Sequence, residues 1–139
     1  MEVFFYGLFM DTDILIKKGI NPCNPRKGYL NNYTLKIGNR ASLIQCKNEK
    51  AYGIVMEVND KELNKLYSEN SVADYIPEKV EIVTESKEHI TATCYNLPAK
   101  LLSGTNKSYA KSLYELAKKL NFPKEYLVKI NKYISMKDD

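Results

Sequence analysis

Hydrophobic positions along this chain come in short bursts, and most of the early ones are spaced for strands. Val3-Phe4-Phe5-Tyr6 is a run of β-preferring residues that stops at Gly7, which predicts a buried strand. Tyr33, Leu35 and Ile37 recur at every second position, so the segment Tyr29 to Ile37 reads as a half-buried strand. Gly38-Asn39 marks a turn before a further strand, Ala41 to Cys46. Lys47-Asn48-Glu49-Lys50 is polar enough for a hairpin loop, and Ala51 to Val58 is the strand expected after it. Glu78 to Thr84 alternates around Val80 and Ile82, and Ile90 to Tyr95 answers it across a turn at Glu85 to Glu88. Two prolines and two asparagines make 21–25 a loop, because proline cannot donate to a ladder.

Helical periodicity is confined to shorter or later stretches. Asp11 or Thr12 is placed to cap a short helix that Gly19 ends. Asn59 to Glu62 matches a capping box, with Asn59 accepting from the backbone and Glu62 reaching back. Leu63 and Leu66 then face inward. Near the end of the chain Tyr109, Leu113, Leu116, Ala117 and Leu120 form one stripe, which Asn121-Phe122-Pro123 breaks. A second helix carries Tyr126, Leu127, Ile130, Tyr133 and Ile134 before a polar tail. Six short strands with small helices between them and a helical pair after them predict an α+β domain. Its centre is expected to be a small, mostly closed β sheet or barrel; a doubly wound parallel sheet fits less well.

At 139 residues the chain is long enough for one compact domain and short for two. The barrel is expected over about 1–97 and the helical pair over about 107–135 of a single domain, 1–139. No apolar run approaches a membrane span, and the opening residues lack the basic and cleavage regions of a signal peptide. Three widely spaced cysteines, Cys23, Cys46 and Cys94, never pair as CxxC, which fits a reducing, cytoplasmic setting. Lysine and arginine total 21 against 17 acids, but the lysines are spread and interleaved with acids, so a solvated surface is expected rather than a nucleic-acid face. His89 is the sole histidine, so a multi-histidine metal site is excluded, and an edge or surface role is expected for it.

Three local features are candidates for chemistry. Tyr6-Gly7-Leu8-Phe9-Met10 follows the first strand, where a glycine lets backbone approach a ligand and leaves amides to bind an oxyanion or carboxylate. The same residues also make a plain strand-to-helix turn. Glu69, Asp74 and Glu78 cluster with Ser68, Ser71 and Tyr75 between a helix end and a strand start. A carboxyl there, walled by aromatic rings, would titrate in the range of a general acid–base; in water it would cap a turn or pair with lysine. Arg40 either forks a ligand carboxylate or decorates a hairpin.

Taken in order, these segments resemble the γ-glutamylcyclotransferase-like family. The opening Phe5-Tyr6-Gly7-Leu8-Phe9-Met10 is similar to its YGSLM or YGSNL motif. Gly28 to Leu35, Gly38-Asn39-Arg40-Ala41 and Tyr52-Gly53-Ile54-Val55-Met56-Glu57-Val58 follow in family order, so the resemblance runs from about Val3 to Tyr95. The spacing of Glu69 and Tyr75 is similar to that of the γ-glutamylamine branch, as a divergent sub-branch. Leu66-Tyr67-Ser68-Glu69-Asn70 departs from the family's L-D-x-x-E-G by losing the Asp and the Gly. Leu66 also stands one place closer to the Glu, and Leu8 and Phe9 make the mouth more apolar.

The resemblance implies a small mixed β-barrel flanked by short helices that frees 5-oxoproline from a small γ-glutamyl amine or peptide without metal or coenzyme. Glu69 would be the catalytic base, with Asp74 or Glu78 as alternatives, and Tyr6, Gly7, Leu8, Phe9, Met10, Arg40 and Tyr75 would bind substrate. The other reading is a binding or interaction module that kept the barrel and lost catalysis. No nucleic-acid or membrane partner is expected, and a homodimer is left open.

Overall fold

A computed structural model of the chain describes residues 1–135; the polar tail expected at the end lies outside them. Five strands close into a barrel in the order β1-β3-β2-β4-β5. They are β1 (Glu2–Phe5), β2 (Cys23–Ile37), β3 (Ala41–Glu57), β4 (Ile76–Thr84) and β5 (His89–Asn96). All neighbours are antiparallel except β1 and β5, whose parallel contact at Val3 and Thr93 closes the ring. Helix α1 (Thr12–Lys17) and helix α2 (Asp60–Leu66) sit in the connections, and α3 (Lys107–Lys119) and α4 (Lys124–Ser135) form the C-terminal pair. The architecture is the expected α+β barrel flanked by helices.

Two local expectations are corrected. Residues 47–50 make no hairpin, and the two strands expected around them are one continuous β3. Its pairing with β2 changes register between Asn31↔Lys50 and Tyr33↔Gln45. Asn32 and Asn48 take left-handed backbone there, and the Asn48 amide donates to Asn32 Oδ1 at 3.1 Å. Asparagine tolerates that conformation by bonding locally, so a polar stretch that reads as a turn becomes a bulge within a long ribbon. The proline-rich 21–25 is likewise not all loop. β2 starts at Cys23, and a second register shift between Cys23 and Arg26, with Asn24 at φ 52, lets Pro25 sit in the strand.

The first two helices begin as their sequences dictate. Asp11 accepts from the Asp13 amide, and Asn59 accepts from the amides of Lys61 and Glu62. Glu62 does not complete a capping box. Its carboxylate takes the Asn21 amide at 3.1 Å, tying α2 to the start of β2.

Phe4, Val55, Met56 and Ile82 are among the fully buried side chains of the barrel strands, with Val55 and Met56 on opposite faces of β3. The C-terminal pair covers the outside through Ala110, Leu113, Ala117 and Ile130, all at 1% exposure or less. Burying a leucine or isoleucine side chain is worth about 1.5–3 kcal/mol, which holds the pair in place. Polar ties fix its position: Lys27 Nζ donates to the Leu120 carbonyl at 2.8 Å and the Tyr133 hydroxyl to the Leu35 carbonyl at 3.2 Å. The tyrosine stripe of these helices packs on the barrel.

Candidate active site

β1 ends at Phe5, and the chain bends at Gly7 into one tight turn, closed by the Met10 amide on the Gly7 carbonyl at 3.0 Å. A β-carbon at position 7 would run into the Tyr109 hydroxyl of α3, so the bend as packed favours glycine. A cavity of about 340 Å³ opens beside this bend. Tyr6, Gly7, Leu8 and Phe9 form one wall. Arg40, Asn39 and Asn106 line it from the β2–β3 hairpin and the approach to α3. Tyr67, Ser71, Val72 and Tyr75 come from the connection after α2, and Tyr95 and Tyr109 from β5 and α3.

Aromatic contacts build the wall into a rigid surface. Phe9 sits edge-on to both Phe5 and Tyr67, each at 6.2 Å between centroids. Tyr67 stacks flat on Tyr95 at 3.7 Å. The Tyr6 hydroxyl donates to the Tyr95 carbonyl at 2.7 Å, and the Tyr75 hydroxyl to the Ala41 carbonyl at 2.6 Å. Burial pushes the Tyr6 and Tyr67 phenols well above their ordinary value. Burial also raises Tyr75 against the opposing pull of Arg40, and raises Tyr109 against a backbone hydrogen bond at Leu8. These hydroxyls are therefore neutral donors and acceptors at physiological pH.

The hairpin side is polar and braced. The Asn39 amide donates to the Ser103 carbonyl at 2.7 Å, and Asn106 Nδ2 donates to the Asn39 carbonyl at 3.2 Å. Arg40 is the one fully charged side chain among the described residues of the lining, with Asp74 Oδ2 3.4 Å away on its exposed side.

The structure thus brings together Tyr6, Gly7, Leu8, Phe9, Arg40 and Tyr75 of the expected site. Met10 is not in the lining; it is turned into the core with 2% exposure. Glu69 is not in the lining either. It lies on the connection whose Tyr67 and Ser71 do line the cavity, and its carboxylate pairs with Lys18 Nζ at 2.9 Å. Asp74 is exposed beside Arg40. Glu78 belongs to the barrel wall, where Oε1 accepts from Asn96 Nδ2 and Oε2 faces the Tyr33 hydroxyl. Cys23 and Cys46 are also outside the lining, and His89 is on the surface beside Glu81. No group of three or more metal-ligating side chains occurs among the described residues, and none of their helices is long and apolar enough to cross a membrane.

Sequence reasoning missed Tyr67, Tyr95, Tyr109, Asn106 and Ile14 as lining residues. Tyr109 carried a signal, since it opens the C-terminal stripe. Nothing in the local pattern said that the stripe would reach the first strand.

The fold of this chain, a closed five-stranded barrel with flanking helices, is shared by solved structures described as γ-glutamyl cyclotransferases. One structure described as a gamma-glutamyl cyclotransferase matches all of this chain and 89% of its own at a TM-score of 0.77 and 19% identity. An uncharacterized protein from Homo sapiens matches 99% of this chain and 88% of its own at 0.77 and 20%. A yeast cyclotransferase described as specific to glutathione matches 96% and 95% at 0.69 and 11%. At these identities the likeness is one of fold. The AIG2-like family model matches residues 50–130, more than half the chain, and the chain belongs to that family. No curated protein matches it by sequence.

Proposed function

We propose that this chain is a cyclotransferase that binds a γ-glutamyl compound in the cavity beside Gly7 and frees 5-oxoproline from it. The observation that carries the proposal is the cavity itself, closed between the bend after β1 and the connection after α2. Arg40 suits the glutamyl α-carboxylate, and the backbone turn at 7–9 suits the oxygen of the γ-carbonyl. The names of the structures that share the fold point to the same substrate class.

Little machinery is needed. The α-amine attacks the γ-carbonyl carbon of its own molecule, so the nucleophile is already tethered. The new C–N bond closes a five-membered ring, and the C–N bond to the leaving amine breaks. One proton leaves the α-nitrogen and one arrives at the departing nitrogen, which a single base can relay. Glu69 is the proposed base. In this structure Lys18 holds it outside the lining, so its role requires that pair to open. Side-chain exposures of 34% and 39% make this a surface pair, worth about 0–1 kcal/mol, and opening it costs little.

A second reading has a specific observation in its favour. No carboxylate lines the cavity among the described residues, as expected of a binding module without turnover. Incubating the protein with a panel of γ-glutamyl amides and peptides and measuring free 5-oxoproline decides between the two. Release that Glu69→Gln abolishes supports the enzyme; binding without release supports the module.

A further inference from the structure

The lining divides by chemistry. Asn39, Arg40 and Asn106 lie on the hairpin side, where the Asn106 side-chain amide donates to the Asn39 carbonyl. Phe5, Phe9 and Tyr67 are joined by edge contacts, and Leu8 and Ile14 complete an apolar wall from the bend and from α1. A ligand carboxylate against that wall would lose water and gain no counter-charge, because the nearby side chains are apolar rings and neutral phenols. Lys18, at the end of α1, and its partner Glu69 are outside the lining, and a Glu69 turned inward would meet a second ligand carboxylate with like charge.

We infer that the ligand of this cavity carries an anionic or carbonyl head for Arg40 and an uncharged aryl or alkyl tail for the Leu8, Phe9 and Ile14 wall. For its head group the inference rests on the proposed function: the substrate is then a γ-glutamyl amide of an apolar amine. A cavity of about 340 Å³ is at the small end of the range that holds whole ligands, which suits a glutamyl head with one ring or short branched chain. Compounds whose γ-amide bears a second carboxylate are disfavoured, since that charge would face the aromatic wall unpaired.

Calorimetric titration of the full chain tests this with matched ligands. γ-Glutamyl-benzylamide is expected to bind at least about tenfold more tightly than γ-glutamylglycine or γ-glutamyl-ε-lysine, a difference of about 1.4 kcal/mol. Ile14→Lys, which places a cation on the wall of a helix that tolerates lysine, is expected to erase or reverse the preference over γ-glutamylglycine. Equal or tighter binding of the charged compounds by the unmodified chain overturns the inference. A second pair without a glutamyl head, 3-phenylpropionate against succinate, separates the two proposals. If no γ-glutamyl compound binds but 3-phenylpropionate exceeds succinate tenfold, the tail inference stands and the γ-glutamyl reading falls. If 3-phenylpropionate shows no such advantage either, the inference falls with it.

Discussion

The Tyr109 hydroxyl fills the space that a side chain at position 7 would need, so the last helical pair reaches the bend of the first strand. That contact joins the end of β1 to α3 in the lining of the cavity. Gly7→Ala is expected to cost about 1–3 kcal/mol through overpacking, seen as a lower midpoint in chemical denaturation. The clash is with a terminal hydroxyl, so Tyr109→Phe added to Gly7→Ala should restore most of the loss. A double-mutant cycle with no coupling would show that the contact does not set the position.

Glu69→Gln is expected to abolish 5-oxoproline release while changing stability by less than about 1 kcal/mol, since the Lys18 pair it breaks is solvent-screened. Lys18→Ala should leave release intact or raise it, because it frees Glu69 from its outward partner. Loss of activity in Lys18→Ala with Glu69 unchanged would mean that the pair is part of the working site.

Arg26 forks Glu2 at 2.7 and 2.8 Å, joining β2 to β1, and its hydrogen bond holds the Glu2 carboxyl below its ordinary value of 4.5. A carboxyl depressed in the folded state stabilises above its unfolded pKa, and that stabilisation is lost as pH falls through the folded value. Glu2→Gln should therefore be less stable than the unmodified chain near neutrality, by about 1 kcal/mol for a partly exposed pair, and the two should converge in acid. Thermal melts across that pH range measure it; a constant gap would deny the linkage.

Cys94 is fully buried, and burial pushes its thiol far above the usual range, whereas Cys23 is exposed. Only a thiolate alkylates quickly, so peptide mapping after brief iodoacetamide treatment should find Cys23 modified and Cys94 untouched until the chain unfolds. Early labelling of Cys94 would contradict the closed barrel.

The tyrosines give an alkaline counterpart. Tyr6, Tyr67, Tyr109 and Tyr126 are raised chiefly by burial, so they stay protonated in the fold above the ordinary phenol value of 10.0. The unfolded chain ionises first, so stability is present below that pH and is lost as pH rises beyond it. Phenolate absorbance should rise in two stages, the second coinciding with loss of structure; a single early rise would mean that these rings are solvated.

The sequence by itself determined most of the elements and one wall of the site. Alternating Tyr33, Leu35 and Ile37, the caps at Asp11 and Asn59, and the stop at Asn121-Phe122-Pro123 are local signals, and local backbone chemistry answered them. The bend at Gly7 and its neighbours Leu8 and Phe9 were legible for the same reason. Tertiary structure alone decided that residues 47–50 stay in the ribbon, because pairing with β2 along the whole of β3 outweighs the turn preference of a polar stretch. It also decided where the carboxylates go. Whether Glu69 meets the cavity or Lys18 depends on the neighbour supplied just after α1, fifty-one positions away, a charge pairing invisible in the spacing of nearby residues. The cavity's tyrosines come from four separate segments, and only closing the barrel and docking the last helices sets them around one space.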